Sequence, residues 1–288
     1  MGDQVVYLNG QFMPLSKATV PVLDRGFIFG DGVYDVIPVY QRKMFRSEQH
    51  LARLARSLAA VGIENIYSKD QWLSIIGRLI DEYDAADQMV YVHVTRGVAN
   101  RAHAFPPNTK PTVFIMVNPL PVPSEEMREH GVACVTMQDN RWLHCDIKSI
   151  SLLGNVLAAQ NAAEHGVLET IQFRDGFLTE ASASNVWIVK NGTLIGPGKN
   201  NLVLEGIRYG LFEELCSKHD IPFETRNITR DEVFDADEVL LSSAAKEILP
   251  VTRIDGKQVS KGKPGPLYAK LYDFYQREKN AAMPLTAN

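Results

Sequence analysis

Cysteine is scarce in this chain, and long apolar runs are missing from it. The 288 residues include three cysteines, Cys134, Cys145 and Cys216, which are too scattered for a disulfide framework or a CxxC metal site. No apolar run reaches the length that spans a membrane, and the first residues show no basic stretch followed by an apolar one. We therefore expect a cytoplasmic protein with no metal site and no membrane partner.

An excess of positive charge is also absent. The chain has 30 Lys and Arg against 34 Asp and Glu, a net charge of −4, which argues against nucleic acid as a partner. The nucleotide-binding signatures GxxxxGK[ST] and GxGxxG are missing as well. Small molecules are therefore the expected ligands.

Helices and strands are predicted on both sides of a proline-rich segment. Before it, we expect a hairpin at 5–13, helices at 47–62 and about 72–83, and strands at 89–95 and 112–117. After it, we expect helices at about 151–165, 205–218 and 267–279, and strands at 169–173, 185–189, 238–242 and 251–254. Asn191-Gly192 and Asp255-Gly256 are expected to form tight turns.

The proline-rich segment marks the expected domain boundary. Residues 119–124 contain three prolines, which favour an extended, semi-rigid connector. The predicted fold class is α/β in the mixed α+β sense, with a smaller domain over 1–118 and a larger one over 125–288.

Lys148 is the first candidate for chemistry. It lies between Ile147 and Ile150, and these apolar neighbours favour partial desolvation, which increases the fraction of neutral, nucleophilic amine. A Schiff base requires such an amine. The alternative is a surface lysine at the end of a strand. Lys246, beside a loop of small residues, is a second lysine that could form a Schiff base.

Three segments could bind an anion such as phosphate. Gly206 lies at the start of a predicted helix, where unpaired amides and the helix dipole attract anions, although it could be a simple cap. Ser243 and Ala244 lie in the loop of small residues, which could equally be an ordinary turn. Arg53 lies off the apolar stripe of its helix, so its forked guanidinium is either exposed to solvent or bound to phosphate.

Two further segments could bind a substrate. Arg101 and His103 point to one side if their segment is extended, and together they would suit a small carboxylate; a polar surface loop is the alternative. Tyr34 follows Gly30 and Gly32, where the backbone can approach a ligand closely and the phenol can donate a hydrogen bond. The glycines could equally form a plain turn.

In this order, the segments resemble the fold-type IV aminotransferases, a pyridoxal-phosphate family, over residues from about 9 to 258. The matching segments are Asp24–Gly26, Phe29–Tyr34, Glu48–Leu54, Arg101–His103, Cys145–Ser149, Leu153–Asn155, Thr179–Val186 and Glu247–Val251. The arginine–histidine pair is the mark of the D-amino acid branch of that family.

The resemblance implies a cofactor, pyridoxal 5'-phosphate, and a role for each candidate residue. Lys148 would form the Schiff base, and Glu180 would pair with the pyridine nitrogen and keep it protonated. Arg53 would hold the phosphate. The rest of the phosphate cup would consist of Gly206, the amides of Ile207 and Arg208, Ser243 and Ala244, with Leu204 packed on the cofactor ring.

The resemblance also implies the substrates and the assembly. Tyr34, Arg101 and His103 would bind the substrate carboxylate, the last two from the other subunit of a homodimer. The implied reaction is a ping-pong exchange of the amino group between a D-amino acid, such as D-alanine or D-glutamate, and pyruvate or 2-oxoglutarate. Lys148 would carry the Cα proton in that exchange.

Four alternatives stay open on the same segments. A branched-chain transaminase, an (R)-amine transaminase or an aminodeoxychorismate lyase would use the same Lys148 and Glu180, and a non-catalytic pyridoxal-phosphate carrier would need only the phosphate cup. The chain departs from the family at Arg208 and Ala244, where close relatives often have threonine. Hydroxyl contacts to the phosphate are therefore expected to be lost there.

Overall fold

The computed structural model describes residues 3–281, which form two compact units. The first unit contains residues up to Leu120 together with Ile147–Leu152, and the second contains Pro121–Asp146 and Leu153–Ala281. The chain first passes from one unit to the other within the predicted linker, 119–124. Among the described residues, no helix has the length and apolar character needed to cross a membrane.

The segment that carries Lys148 differs from its predicted position. We expected it in the domain 125–288, but it packs with the first unit. The backbone N–H of Tyr34 donates to the carbonyl of Lys148 at 2.9 Å, and the N–H of Ile150 donates to the carbonyl of Gly32 at 3.1 Å. Ile147 packs against the apolar core of the first unit. These long-range contacts attach the segment to the first unit, and sequence spacing does not reveal them.

The elements of the first unit are β1 (Val5–Leu8), β2 (Gln11–Pro14), α1 (Arg25–Phe29), β3 (Gly32–Tyr40), β4 (Lys43–Met44), α2 (Ser47–Ala60), α3 (Lys69–Glu82), β5 (Gln88–Thr95) and β6 (Thr112–Pro119). In its described part, six strands form one antiparallel sheet in the order β2, β1, β6, β5, β3, β4. The predicted hairpin is confirmed, since Asn9 and Gly10 have φ of 48° and 93° and connect β1 to β2.

Helices α2 and α3 supply apolar faces to the core of this unit. Leu54 and Leu58 of α2 and Ile76 of α3 are fully buried against strand residues such as Val92. The predicted N-cap of α2 was wrong by one position. Ser47 already lies in the helix, because the chain turns into it at Arg46, which has a φ of 55°.

The elements of the second unit are α4 (Glu125–Glu129), β7 (Val132–Gln138), α5 (Leu153–Glu164), β8 (Glu169–Arg174), β9 (Phe177–Ala181), β10 (Asn185–Lys190), β11 (Thr193–Gly196), α6 (Ile207–Lys218), β12 (Phe223–Thr225), α7 (Arg230–Phe234), β13 (Glu238–Ser243), β14 (Glu247–Ile254), β15 (Lys257–Gln258) and α8 (Pro266–Ala281).

One mixed sheet runs through the described part of the second unit. Its order is β12, β11, β10, β13, β14, β7, β8, β9, and β15 also pairs with β14. The pairs β11–β12, β14–β7 and β7–β8 are parallel, and the others are antiparallel. The predicted turns at Asn191-Gly192 and Asp255-Gly256 are confirmed by positive φ at all four residues. The mixed α and β content confirms the predicted fold class.

Candidate active site

The backbone of Lys148 is fixed within the first unit. Its N–H donates to the hydroxyl of Ser57 at 3.3 Å, and Ser149 forms an isolated bridge with Val33 of β3. The amine Nζ of Lys148 lies 4.2 Å from the centroid of the Tyr34 ring. The structure therefore brings together two predicted site residues, the Schiff-base lysine and the tyrosine of the carboxylate clamp.

Tyr34 lies in a row of aromatic side chains on β3 and β5. Its ring centroid is 5.8 Å from that of Tyr91, whose hydroxyl shares a hydrogen bond of 2.8 Å with Nδ1 of His93. Burial, and to a lesser extent Tyr34, raise the pKa of Tyr91 to about 12. Burial lowers the pKa of His93. Both side chains are therefore neutral near pH 7.

The two glycines before Tyr34 have a structural reason. A Cβ on Gly30 would lie 2.7 Å from Oγ of Ser151, and one on Gly32 would lie 2.5 Å from the carbonyl oxygen of Val94. Gly30 also has a φ of 64°. These glycines let the Lys148 segment and the neighbouring strand approach the backbone closely. A plain turn, the alternative considered for them, does not describe this arrangement.

Arg53 is buried, so the default expectation of solvent exposure is wrong. Its Nε and Nη2 donate to the two carboxylate oxygens of Asp35, each at 2.9 Å. His50 shares a hydrogen bond of 2.7 Å with the same carboxylate through Nδ1. Burial alone would raise the pKa of Asp35, but Arg53 and His50 outweigh it and hold that pKa well below its usual range. Asp35 therefore stays ionised and fixes the direction of the Arg53 guanidinium.

Arg101 and His103 meet on one aromatic ring. The guanidinium carbon of Arg101 lies 5.4 Å from the centroid of Phe29, and the rings of His103 and Phe29 are 5.6 Å apart. Their loop is not an extended strand, so the proposed reason for the pairing was wrong. Buried Arg25 holds the loop instead, because its guanidinium donates to the backbone carbonyls of Ala102 at 2.5 Å and His103 at 3.2 Å.

Glu180 lies at the end of β9 in the second unit, with its carboxylate buried and held on both oxygens. Oε1 accepts a hydrogen bond from Nη1 of Arg141. Oε2 accepts the backbone N–H of Leu204 at 3.2 Å and lies 3.4 Å from Nδ2 of Asn185. Asn185 also donates to the carbonyl of Leu204 at 2.8 Å. The structure therefore joins two predicted cofactor residues, Glu180 and Leu204, through hydrogen bonds.

Gly206 is the N-cap of α6, which begins at Ile207 rather than at the predicted position 205. It offers no side chain to the first turn of the helix, so the amides there are not satisfied by a side-chain cap. A Cβ at this position would lie 2.1 Å from Oδ1 of Asn185. The close approach of Asn185 explains why glycine is required, and the uncapped helix start fits a phosphate.

Arg208 and Ala244, the two departures from the family pattern, contact each other. The Arg208 guanidinium is buried, donates to the Tyr275 hydroxyl at 2.7 Å and reaches the carbonyl of Ala244 at 3.5 Å. Ser243 and Ala244 lie where β13 turns into β14, and Oγ of Ser243 accepts the N–H of Lys246 at 3.0 Å. The arginine therefore links the helix start to the loop of small residues.

The model of the amino-transferase class IV family matches residues 32–254. The chain belongs to the class IV aminotransferases. Its first residues in the match are those of β3, and the match extends to the end of β14. The predicted resemblance is thereby confirmed, and with it the pyridoxal-phosphate chemistry of the family.

Curated relatives cover nearly the whole of this class IV aminotransferase. It is 37% identical to a D-alanine aminotransferase of Staphylococcus aureus (strain MSSA476) over 273 residues, which are 94% of this chain and 96% of the relative. It is 39% identical to a D-alanine aminotransferase of Bacillus licheniformis over 262 residues, 91% of this chain and 92% of the relative.

Solved structures show the same fold. The branched-chain amino acid aminotransferase of Escherichia coli matches with a TM-score of 0.90 and 24% identity, over 95% of this chain and 94% of the other. A second branched-chain amino acid aminotransferase, from T.th. and with pyridoxamine 5'-phosphate, matches with a TM-score of 0.92 and 21% identity, over 99% and 96%. At these identities the likeness concerns the fold alone.

Sequence reasoning on this aminotransferase missed the charged residues behind its candidate site residues. Asp35 fixes Arg53, Arg25 fixes the loop of Arg101, and Arg141 contacts Glu180. The aspartate inside an otherwise apolar strand, Val33 to Tyr40, was the one available signal, because a buried carboxylate requires a partner. No local pattern marks Arg141, since its partner lies on a distant strand.

Proposed function

We propose that this class IV aminotransferase exchanges the amino group between a D-amino acid and an α-keto acid. The observation that carries the proposal is the Arg101 and His103 pair on Phe29, which presents two cationic or hydrogen-bonding groups to a small carboxylate. The names of the curated relatives, D-alanine aminotransferases, support the same substrate class. D-Alanine and D-glutamate are the expected donors, and pyruvate and 2-oxoglutarate the expected acceptors.

Pyridoxal phosphate is the cofactor, and the described residues fit it. The uncapped start of α6 at Gly206, together with Ser243 and Ala244, suits the phosphate group. Arg53 is the further phosphate ligand in this proposal, and its direction is set by Asp35. When bound, the cofactor supplies an electron sink that makes the substrate Cα–H acidic.

Glu180 is the proposed partner of the pyridine nitrogen. Its carboxylate is buried, and each oxygen is held by a donor of the second unit, namely Arg141 on one side and the Leu204 amide on the other. A carboxylate fixed in this way favours the protonated ring nitrogen that the electron sink requires. Leu204 is the residue proposed to pack against the ring.

Lys148 is the proposed cofactor tether and proton carrier. Its backbone is held by Ser57 and by β3, so its amine projects from a fixed point, and Nζ lies over the Tyr34 ring. The neutral amine takes the Cα proton of the substrate and returns it later in the exchange. The carboxylate clamp selects the enantiomer, because it decides which Cα substituent faces Lys148. Tyr34 is the third proposed member of that clamp.

A homodimer with shared active sites is the proposed assembly, with Arg101 and His103 supplied by the partner subunit. Apolar side chains that a monomer would leave in water support it. In α5 these are Leu153, Val156 and Leu157, and in the first unit Phe27 is 75% exposed. The cytoplasm is the proposed location, because the three free, buried cysteines suit a reducing compartment.

A pair of enantiomers tests the proposed function. We expect the loaded protein to lose its visible absorbance with D-alanine and to keep it with L-alanine. A panel of branched-chain L-amino acids, chiral amines and aminodeoxychorismate separates the alternatives that share the fold. Bleaching by L-leucine or by an (R)-amine, with none by any D-amino acid, would end the proposal.

A further inference from the structure

The Glu180 carboxylate is connected to a row of buried charges in the second unit. Arg141 donates to Oε1 of Glu180 through Nη1. The other edge of its guanidinium is held by Asp139, because Nε donates to Oδ1 and Nη2 to Oδ2, both at 2.9 Å. The backbone N–H of Arg141 also donates to Oδ1 of Asp139, at 3.0 Å. With that edge occupied, the guanidinium can turn only its Nη1 side toward Glu180.

Asp139 is itself fixed, and its side chain is inaccessible to solvent. The hydroxyl of Thr179 donates to its Oδ2 at 2.9 Å, and Nη2 of Arg174 lies 3.1 Å from its Oδ1. The charges therefore alternate along the row of Arg174, Asp139, Arg141 and Glu180. Burial alone would raise the pKa of Asp139, but Arg141 and Thr179 outweigh it and lower that pKa to about 2. The whole row stays ionised at neutral pH.

Two neutral groups complete the surroundings of Glu180. Burial raises the pKa of Cys145 to about 11. Burial, with a smaller contribution from Glu180, raises the pKa of the Tyr209 hydroxyl above its usual range. Neither group carries charge near pH 7. Arg141, by contrast, is a cation held directly against the Glu180 carboxylate.

We propose that Arg141 is a positioning residue that decides where the proton between Glu180 and the cofactor's ring nitrogen resides. This proposal rests on the proposed function, in which Glu180 pairs with that nitrogen. A carboxylate and a ring nitrogen in contact share one proton. A cation beside the carboxylate stabilises its ionised form, so the proton stays on the nitrogen. Without Arg141, the proton moves to Glu180 and the electron sink weakens.

The test is the ¹⁵N resonance of the ring nitrogen in protein loaded with [¹⁵N]pyridoxal phosphate. In the wild-type protein we expect the resonance of a protonated ring. In Arg141→Met we expect a shift toward the unprotonated ring, in the same direction as in Glu180→Gln. Arg141→Lys, which keeps the charge, should restore most of the protonated signal. Arg226→Met, which removes a surface arginine from the same unit, is the matched control and should leave the resonance unchanged.

The outcomes separate this proposal from the one it rests on. An unchanged resonance in Arg141→Met, together with a shift in Glu180→Gln, would overturn the role of Arg141 and leave that of Glu180 intact. An unchanged resonance in Glu180→Gln would instead overturn the assignment of Glu180. Should Arg141→Met not fold, Arg141→Gln removes the charge and keeps a hydrogen-bond donor. A signal from Arg141→Lys that equals that of the neutral variants would also count against the proposal.

Discussion

Nζ of Lys246 lies 2.7 Å from Oε1 of Glu169, whose side chain is buried. The same carboxylate accepts hydrogen bonds from the hydroxyls of Ser182 and Ser184. Lys246 is therefore paired with a buried anion, which favours its ammonium form. A paired ammonium is a poor nucleophile, and this weakens Lys246 as a competitor for the Schiff base.

We expect borohydride reduction of the loaded protein to fix the cofactor to Lys148. Peptide mapping by mass spectrometry would locate the label. Lys148→Arg should abolish labelling, whereas Lys246→Arg, which keeps the cation beside Glu169, should label as the wild type does. A label on the peptide that contains Lys246, with Lys148 unmodified, would reverse the assignment.

Two glycines of one segment allow a matched test of the phosphate cup. Ala at position 206 would place a Cβ 2.1 Å from Oδ1 of Asn185, whereas Ala at 210 meets nothing within 4 Å. We expect Gly206→Ala to raise the Kd for pyridoxal phosphate about tenfold or more, since displaced hydrogen bonds to a charged group cost about 1.5–3 kcal/mol. Gly210→Ala should leave the Kd unchanged and stabilise α6 by up to about 1 kcal/mol. Fluorescence titration of both variants with the cofactor gives the answer, and equal affinities would argue against the cup.

Much of the fold was predictable because its signals are local. The turns at Asn9-Gly10 and Asn191-Gly192 require nothing beyond two neighbouring residues. β3 was not predicted, because Asp35 and Pro38 interrupt its apolar pattern. The aspartate is tolerated there only because Arg53 of α2 reaches it, and that partner is brought close by tertiary packing.

The site was predictable in its residues and not in its arrangement. Lys148 and Glu180 could be named from motif order, but the position of Lys148 in the first unit depends on backbone bonds to β3. Arg141 stands within the segment quoted for Lys148, and its role stayed hidden since Glu180 lies on another strand. Single-sequence patterns describe neighbours along the chain, whereas these contacts join distant parts of it.

Removal of the Arg101 guanidinium should affect the substrate and spare the cofactor. We expect Arg101→Ala to raise KM for D-alanine roughly tenfold to a hundredfold, since it loses charge-assisted hydrogen bonds to a carboxylate. The visible absorbance of the loaded protein should not change. Lys110→Ala, an exposed lysine further along the same region, is the control and should keep the wild-type KM. Loss of bound cofactor in Arg101→Ala would show that the residue has another role.

Mixed dimers test whether Arg101 acts across subunits. Lys148→Ala and Arg101→Ala protomers are each expected to be nearly inactive at low D-alanine. When the two are dissociated and reassociated together, half of the dimers combine one protomer of each kind, and one of their two sites is intact. Roughly a quarter of the wild-type activity should return. An Arg101 that served its own subunit would leave every site defective, and no activity would return.

Asp35 should make a large contribution to the stability of the first unit above about pH 5. Asp35→Asn leaves the buried Arg53 without its carboxylate partner, so we expect the free energy of unfolding to fall by about 3–5 kcal/mol. The pKa of Asp35 is lower in the folded protein than its unfolded value near 4, so its stabilisation is complete above that value and is lost as the pH falls below it. Urea unfolding of wild type and variant from about pH 7 to pH 3 would show the two curves converging in acid. Asp235→Asn, at an exposed ion pair with Lys190, is the control and should show little change at either end. Parallel curves for wild type and Asp35→Asn across this range would mean that the Asp35 carboxylate is not the group that titrates.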